Sequence, residues 1–306
     1  MIEISTTVDS LEQARQLVEL DIDVICFGEE EFGLRLPHYF TREEMTELVQ
    51  LAHSKGKKAR VAVSAIMHPD KMELIPEYLV FLESIGVNDI IVGDPGVIYV
   101  LQRDGYKLPY VYNAETMVTS SRQVNFWAKR GATGAILARE IPFEELQQIA
   151  KDTQVFTEVL VYGATCIHHS KRPLITNYFN FTKQQDNVSK EDGLFISEPK
   201  DEETHYSIFE DKHGTHIYAT NDVDLMFELK ELYDAGLRHW KLDGMYTPGE
   251  DFVSIVSSFI TAKKALIGDT WAQDLAKSLQ KTIMEHHPKG RSLDTGFYYL
   301  DPEEIK

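Results

Sequence analysis

The sequence predicts an α/β fold, and within that class a (β/α)8 barrel resembling a TIM barrel, from three observations. Apolar segments of four to six residues recur along the chain and alternate with amphipathic stretches of helical period. These segments do not alternate polar and apolar residues, which is typical of parallel strands buried on both faces. Glycine precedes several of them, as expected where a helix ends in a left-handed residue. A doubly wound open sheet is the alternative, but no GxGxxG fingerprint follows the first strand to favour a dinucleotide-binding version.

Eight segments are candidate barrel strands, and amphipathic helices fill the intervals between them. A Ser cap at Ser10, a Thr cap at Thr41 with Glu44 at the third helical position, and Pro142 at a first helical position predict where three of these helices begin. The predicted strands, in chain order, are Ile2–Thr6, Val24–Phe27, Ala59–Ser64, Asp89–Val92, Tyr110–Asn113, Ala135–Ala138, Val155–Tyr162 and His239–Leu242.

One region departs from the strand–helix repeat. Residues 180–212 are polar and acidic, and the stretch Ser207–Ala219 indicates a hairpin that turns at Lys212–Gly214. A long insertion after one barrel strand is typically a lid or a surface for a partner. We therefore predict a barrel domain at residues 1–262, with an inserted loop and hairpin at 180–218 after strand 7, and a C-terminal helical extension at 263–306.

Composition limits the class of function. The 306 residues include 49 acidic and 31 basic side chains, which gives a formal net charge of −18. Such a field repels polyanions, so the overall charge does not predict direct, unaided binding of nucleic acid, although a local basic patch could still bind RNA. The first residues lack the basic and apolar regions of a signal peptide, and no apolar run reaches the roughly 20 residues of a membrane span. We therefore expect a cytoplasmic protein that does not associate with membranes.

Polar side chains follow the ends of the predicted strands. Because the carboxyl ends of barrel strands open on one face, we expect these side chains to converge on a mixed-charge pocket that can orient a polar substrate. They are Glu29, Glu31, Ser64, Asp94, Asn113, Glu115, Arg139, Glu140, Cys166, His168, Lys241 and Asp243. Glu29 and Glu31 could instead form a solvated acidic turn.

Several of these residues have a structural alternative. Asp94 lies directly before a Pro-Gly pair and could simply cap the following helix. Arg139 and Glu140 could be an ion pair that braces two loops. Lys241 alternates with apolar neighbours, and Asp243, two residues on, points the same way, which favours a paired role inside the barrel.

The segment Glu158–Phe179, which we predict to run from an apolar strand through a glycine into a loop, carries most of the chemistry. It holds a lone cysteine, two histidines and a Lys-Arg pair. Cys166 and His168 could be the nucleophile and base of a peptidase, but residues two apart rarely present the required hydrogen bond, and no third orienting group is evident. His168 and His169 are adjacent and point to opposite sides, and the chain has no HExxH motif, so the sequence predicts no metal site.

The same segment resembles the signature of the collagenase-like peptidase family U32. Glu158, Gly163, Ala164 and Cys166 match that signature. Flanking motifs agree with it as well, so the resemblance covers about residues 1 to 262; they are FGLR from 32, VGDPGV from 92, LARE from 137 and WKLDG from 240. SKR from 170, NYF from 177 and an IFED…GTHI hairpin are similar to one branch, the shorter member of a pair encoded together in low-GC Gram-positive bacteria.

The resemblance implies a component of an oxygen-independent tRNA wobble-uridine (U34) 5-hydroxylation system, with prephenate as co-substrate. It implies that Cys166, His168 and Glu158 are catalytic candidates. The strand-end residues above, together with Lys171, Arg172 and Tyr178, would bind substrate. A true peptidase that uses Cys166, and a non-catalytic scaffold subunit, are the alternatives. Whether the chain is catalytic by itself is left open.

The activities of the family are linked to a four-cysteine iron–sulfur cluster. This chain has two cysteines in total; Pro173 stands at the second cysteine position of the signature, and an acidic loop around Lys190–Gly193 replaces the later cysteine-containing stretch. The resemblance therefore implies no cluster or other metal bound by this chain alone. It implies a heteromer in which a longer, cysteine-rich U32 paralogue holds the cluster, with tRNA bound through the complex.

Overall fold

Eight parallel strands close into a barrel in the computed structural model, which describes residues 1–113, 117–184 and 186–301, with backbone alone at 201–203. Each strand pairs with the next along the chain, and the last pairs with both the first and the seventh, which closes the barrel. This confirms the predicted (β/α)8 architecture over an open sheet. The barrel strands are β1 (Glu3–Thr7), β2 (Val24–Phe27), β3 (Lys58–Val63), β4 (Asp89–Val92), β5 (Tyr110–Tyr112), β6 (Ala132–Ile136), β7 (Phe156–Ser170) and β11 (His239–Leu242).

Helices follow the strands on the outside of the barrel, as predicted. Ser10 caps the first of them by accepting a hydrogen bond from the Gln13 amide, and Thr41 and Glu44 form a reciprocal capping box on the second. Pro142 precedes its helix instead of opening it. The outer helices are α1 (Leu11–Glu19), α2 (Arg42–Ser54), α3 (Pro69–Ile85), α4 (Pro95–Asp104), α5 (Ser121–Ala128), α6 (Phe143–Asp152), α8 (Leu229–Asp234) and α9 (Gly249–Ile267).

Strand β7 differs most from its prediction. Where the sequence predicted an end at Tyr162 followed by a loop, the strand runs on to Ser170 and leaves the barrel. Beyond the barrel it pairs antiparallel with β10 (Gly214–Asp224), so that Cys166 lies opposite Tyr218. The cysteine of the candidate site is therefore held on a strand, in a sheet that rises above the barrel mouth.

The insertion after β7 contains the predicted hairpin and more. Strands β9 (Asp201–Asp211) and β10 are antiparallel and turn between residues 211 and 214, which confirms the predicted hairpin. Strand β8 (Phe195–Glu198) adds to the outer edge of β9. Helix α7 (Leu174–Thr182) includes the NYF motif, which the prediction placed in a loop; a short 3-10 turn, Lys190–Asp192, follows it.

The C-terminal segment packs back on the barrel and on the insertion. The predicted division between residues 262 and 263 lies inside α9 and stays a prediction. After α9 come α10 (Gln273–His286) and a short strand, β12 (Ser292–Asp294), which the helical prediction missed and which pairs with β10. In the described part of the chain, no helix has both the length and the apolar character needed to cross a membrane.

Candidate functional site

An ion-pair network crosses the barrel interior near the amino ends of the strands. The Arg60 guanidinium lies 2.8 Å (Nη1) from Glu158 Oε2 and also binds Asp89, and the Ser5 hydroxyl donates to the same Glu158 oxygen at 2.9 Å. Arg60 and Glu158 are each 1% exposed. Burial opposes the guanidinium charge, but the two carboxylates outweigh it and raise the pKa of Arg60 above its ordinary value. Glu158 thus lies in a buried ion pair beneath the mouth, and its predicted catalytic role stays a prediction.

The carboxyl ends of the strands open into a pocket at the barrel mouth. The structure brings together there Ser64, Asn113, Arg139, Glu140, Cys166, Lys241 and Asp243, as predicted from the strand ends. The lining residues that sequence reasoning had not assigned to the site include Thr7, Cys26, Arg35, Thr165 and Tyr218. The pocket carries both signs of charge, which suits a polar substrate.

Arg139 and Asp243 form an ion pair across this mouth. Their atoms Nη2 and Oδ2 lie 3.5 Å apart, and Arg139 also donates to the Ala164 carbonyl. The Met245 amide donates to the other oxygen of Asp243, which is 5% exposed. The ion pair between Arg139 and Glu140, which was the structural alternative, is not the one that the structure shows. Arg139 is therefore fixed across the pocket by Asp243.

Lys241 lines the same pocket and forms no hydrogen bond or ion pair with any described residue, so the predicted pairing with Asp243 is wrong. Its neighbour inside the barrel is the Cys26 thiol, whose pKa burial raises to about 12. Cys26 is thus a protonated, buried thiol. Lys241 therefore lies in the pocket lining with no charged partner among the described residues.

Arg35 reaches the pocket from the loop after β2. Its backbone has φ 54°, a left-handed conformation that costs a non-glycine residue about 1 kcal/mol. Its Nη1 lies 3.8 Å from the Cys166 sulfur. The FGLR motif was the signal that could have identified it, because a motif in a loop next to a strand end more often serves binding than packing.

Cys166 has a histidine neighbour that the sequence did not predict. His216 on β10 is fully buried, and its Nε2 lies 2.9 Å from Asp211 Oδ1 on β9. Burial alone would lower the pKa of His216, but the hydrogen bond to Asp211 and the contact with Cys166 outweigh burial and raise it. The predicted partner, His168, is exposed, and the Cys166 thiol donates at 3.2 Å to its backbone carbonyl instead.

The remaining predicted residues lie around the pocket or away from it. The Asp94 carboxylate caps α4 at the Gly96 amide, as the structural alternative held, and it also lines a groove beside the pocket together with His168. Glu29 pairs with Arg42 at 3.3 Å and Glu31 with Lys212 at 3.1 Å, and both carboxylates lie in a separate groove. Lys171 donates to the Lys212 carbonyl at the hairpin turn.

Three predicted residues remain. Arg172 and Tyr178 are exposed on the insertion, outside the pocket lining. Glu115 falls outside the described residues.

The donor set of the chain does not fit a four-thiolate cluster. The sequence has two cysteines, and one of them, Cys26, is buried inside the barrel as a protonated thiol. Across the described residues, no group of three or more His, Cys, Asp or Glu side chains is arranged to hold a metal ion. We therefore derive no step of the chemistry through a cluster in this chain.

The chain is similar to known proteins over most of its length. The model of peptidase family U32 matches residues 9–306. The tRNA hydroxylation protein P2 of Bacillus subtilis (strain 168) is 34% identical over 303 residues, which cover 98% of each chain. The tRNA hydroxylation protein P1 of the same strain is 29% identical over 55% of this chain and 40% of its own length.

Other relatives are more distant. The tRNA hydroxylation protein P of Escherichia coli (strain K12) is 24% identical over 79% of this chain and 63% of its own length. A solved U32 peptidase structure aligns with 54% of this chain and 70% of that chain, at 22% identity and a TM-score of 0.47.

Proposed function

The chain belongs to peptidase family U32, and from that premise we propose that it is a component of a tRNA hydroxylation system. The observation that carries the proposal is the end-to-end similarity, at 34% identity across 98% of both chains, to a Bacillus subtilis protein named for tRNA hydroxylation. The Escherichia coli relative bears the same kind of name. Because the similarity extends over the whole of both chains, it favours a shared role for the two proteins over the sharing of a single domain.

The reaction that we propose is the oxygen-independent 5-hydroxylation of the wobble uridine, with prephenate as co-substrate. Prephenate carries two carboxylates, and the barrel mouth offers cations suited to them. Lys241 has no described partner, and Arg139 keeps a fixed orientation through Asp243. Arginine binds carboxylates with two parallel hydrogen bonds, whereas lysine acts as a point charge. These two side chains support the pocket as the carboxylate site. Arg172 lies on the exposed insertion, so any carboxylate that it binds would lie outside this pocket.

The partner that we propose is a longer U32 paralogue that holds the iron–sulfur cluster. Two paralogues from one Bacillus subtilis strain both match this chain, which supports a paired arrangement. The net charge of −18 favours contact with tRNA through the complex rather than through this chain alone. A cytoplasmic location belongs to the same proposal, because that is where tRNA is modified.

The two alternatives have weaker support. A scaffold subunit has no need of a lysine that lines the pocket at the barrel mouth without a described partner. A peptidase has the family name in its favour, but His168, its predicted base, contacts the Cys166 sulfur through its backbone carbonyl.

Gene deletion tests the proposed function. In a host lacking any oxygen-dependent route to the same modification, the gene is deleted and the cells are grown without oxygen. Mass spectrometry of digested tRNA then measures 5-hydroxyuridine-derived nucleosides. We expect them to disappear and to return when the wild-type gene is supplied. Unchanged modification in the deletion strain would overturn the proposal.

A further inference from the structure

A chain of contacts links three side chains in the sheet above the barrel mouth. Cys166 lies on β7, His216 on the neighbouring strand β10, and Asp211 on β9. Asp211 Oδ1 accepts hydrogen bonds from His216 Nε2 at 2.9 Å and from the His213 amide at 2.7 Å. The carboxylate therefore fixes the imidazole through Nε2. The other ring nitrogen, Nδ1, stays without a hydrogen bond, and the contact of this ring with Cys166 helps to raise the pKa of His216. Nucleophile, base and orienting carboxylate recur in this order in enzymes that form covalent intermediates.

Among the described residues, buried polar atoms near Cys166 include two that lack a hydrogen-bond partner and bear on its chemistry. They are Nδ1 of His216, which is 0% exposed, and the hydroxyl of Tyr218, which is 2% exposed and lies directly opposite Cys166 in the strand register. Buried polar atoms almost always have partners, so each such exception needs an explanation. Tyr218 also lines the pocket. Both groups are placed to act on chemistry at the Cys166 sulfur.

We propose that Cys166 is a nucleophilic thiolate paired with the His216 imidazolium, positioned by Asp211, and that it reacts with small carboxylates that carry an electrophilic carbon. The thiol proton moves from Sγ to Nδ1 of His216. The sulfur electron pair forms an S–C bond, and the bond that breaks at that carbon leaves its electron pair on the leaving group. No oxidant or reductant takes part. The inference goes beyond the proposed function and does not depend on it.

The charges around the sulfur favour this ion pair. Arg35 Nη1 lies 3.8 Å from Sγ and stabilises a negative sulfur. His169 stacks on His216 with ring centres 4.5 Å apart, and burial lowers its pKa, so the stacked neighbour stays neutral. The titratable groups that face the pair are Arg35 and Tyr39 from the loop after β2, His169 from β7, Asp211 from β9, His213 from the turn, Tyr218 from β10, and Asp243 and Tyr246 from the segment after β11.

The class of electrophile follows from the pocket that Cys166 lines. Arg35, Arg139 and Lys241 line the same pocket as Cys166, and Lys241 has no described partner. A carboxylate drawn to these cations would bring an adjacent carbon to the sulfur. A neutral electrophile of the same size gains nothing from them, which makes charge the specificity determinant.

Alkylation of the purified full-length chain tests the proposal. Iodoacetate and iodoacetamide react by the same displacement of iodide but differ in charge. Rates are measured from pH 5 to 9 by mass spectrometry of the Cys166 peptide. We expect alkylation at pH 6 about 10-fold faster than for free cysteine, whose thiol pKa is about 8.5. We also expect a ratio of iodoacetate to iodoacetamide rates several-fold above that of free cysteine. Cys26, 1% exposed, is the unreactive internal reference.

Variants assign the roles. His216→Gln should return the midpoint of the pH profile to that of an ordinary thiol, and Asp211→Asn should shift it partway. The matched control His68→Gln, at an exposed position before α3, should leave it unchanged. Lys241→Met should lower the ratio of the two rates without moving the midpoint. Because His216 is buried, circular dichroism checks that its variant folds; if it does not, the wild-type profile and Asp211→Asn decide. A wild-type profile equal to that of free cysteine, or equal effects of the two histidine variants, would overturn the proposal and leave the tRNA proposal untouched.

Discussion

Arg60 Nη1 and Glu158 Oε2 lie 2.8 Å apart inside the barrel, and each side chain is 1% exposed. Glu158 is part of the family signature, yet its carboxylate is engaged by Arg60 and Ser5 instead of facing the pocket. Removing one partner of a buried ion pair leaves the other charge uncompensated. This relationship explains why a signature glutamate can be needed for the fold that presents the site.

Glu158→Gln should destabilise the protein, because Arg60 then keeps Asp89 as its one carboxylate partner. We expect a loss of about 3 kcal/mol in the free energy of unfolding, measured by urea denaturation. The exposed control Glu73→Gln should change it by less than about 0.5 kcal/mol. A folded variant of unchanged stability that no longer supports tRNA hydroxylation would contradict the structural reading and favour catalysis.

Lys241→Met should abolish binding of an anionic ligand in the barrel mouth. A ligand that binds the native state raises the unfolding temperature, so prephenate in excess should stabilise the wild-type chain. The variant should lose that shift, since methionine keeps the length of the side chain but not the charge. Lys289→Met, at an exposed position, is the control and should retain it. Equal shifts in both variants would remove Lys241 from the carboxylate site.

The barrel could be predicted because its signals are local. Three strands, β2, β4 and β11, have the predicted bounds, and the other barrel strands except β7 differ by three residues or fewer. Short apolar runs and helix caps are properties of neighbouring residues, so they can be found without tertiary contacts. The predicted strand β7 ends too early because a glycine follows Tyr162 and polar residues lie beyond it. Their backbone is paired by β10, which lies far away in the sequence.

The site divides along the same line. Arg139, Lys241 and Asp243 could be predicted because barrel geometry brings strand ends together whatever their side chains. The pairing of Arg139 with Asp243 could not, since it depends on distances across the mouth. His216 was missed because only the register of β10 against β7 places it beside Cys166, and the nearby His168 offered a closer partner in sequence.

Asp224 should make the folded state less stable as the pH rises. Burial raises its pKa to about 6 from an ordinary value of 3.8, although Gln280 and the Met226 amide donate to it. Below pH 3.8 both states are protonated and this carboxyl has no effect. The cost develops as the pH rises to about 6 and is then complete, at about 3 kcal/mol. The free energies of unfolding of wild type and Asp224→Asn are measured by denaturation from pH 4 to 7. The difference between them should change by about that amount over this range, and a difference that stays constant with pH would contradict the prediction.

Gly163→Ala should distort the point where β7 leaves the barrel. Gly163 has φ 134°, a conformation that favours glycine, and an added Cβ would lie 2.6 Å from the Asp243 carbonyl oxygen. Backbone strain and this contact together should cost about 3 kcal/mol in the free energy of unfolding. The contact also displaces Asp243. The rise in unfolding temperature that prephenate causes should therefore be smaller in the variant protein that does fold. The control Gly290→Ala has no atom within 4 Å of the new Cβ and should be neutral or slightly stabilising. Equal free energies of unfolding for the two variants would show that the close approach of β7 to Asp243 does not constrain the site.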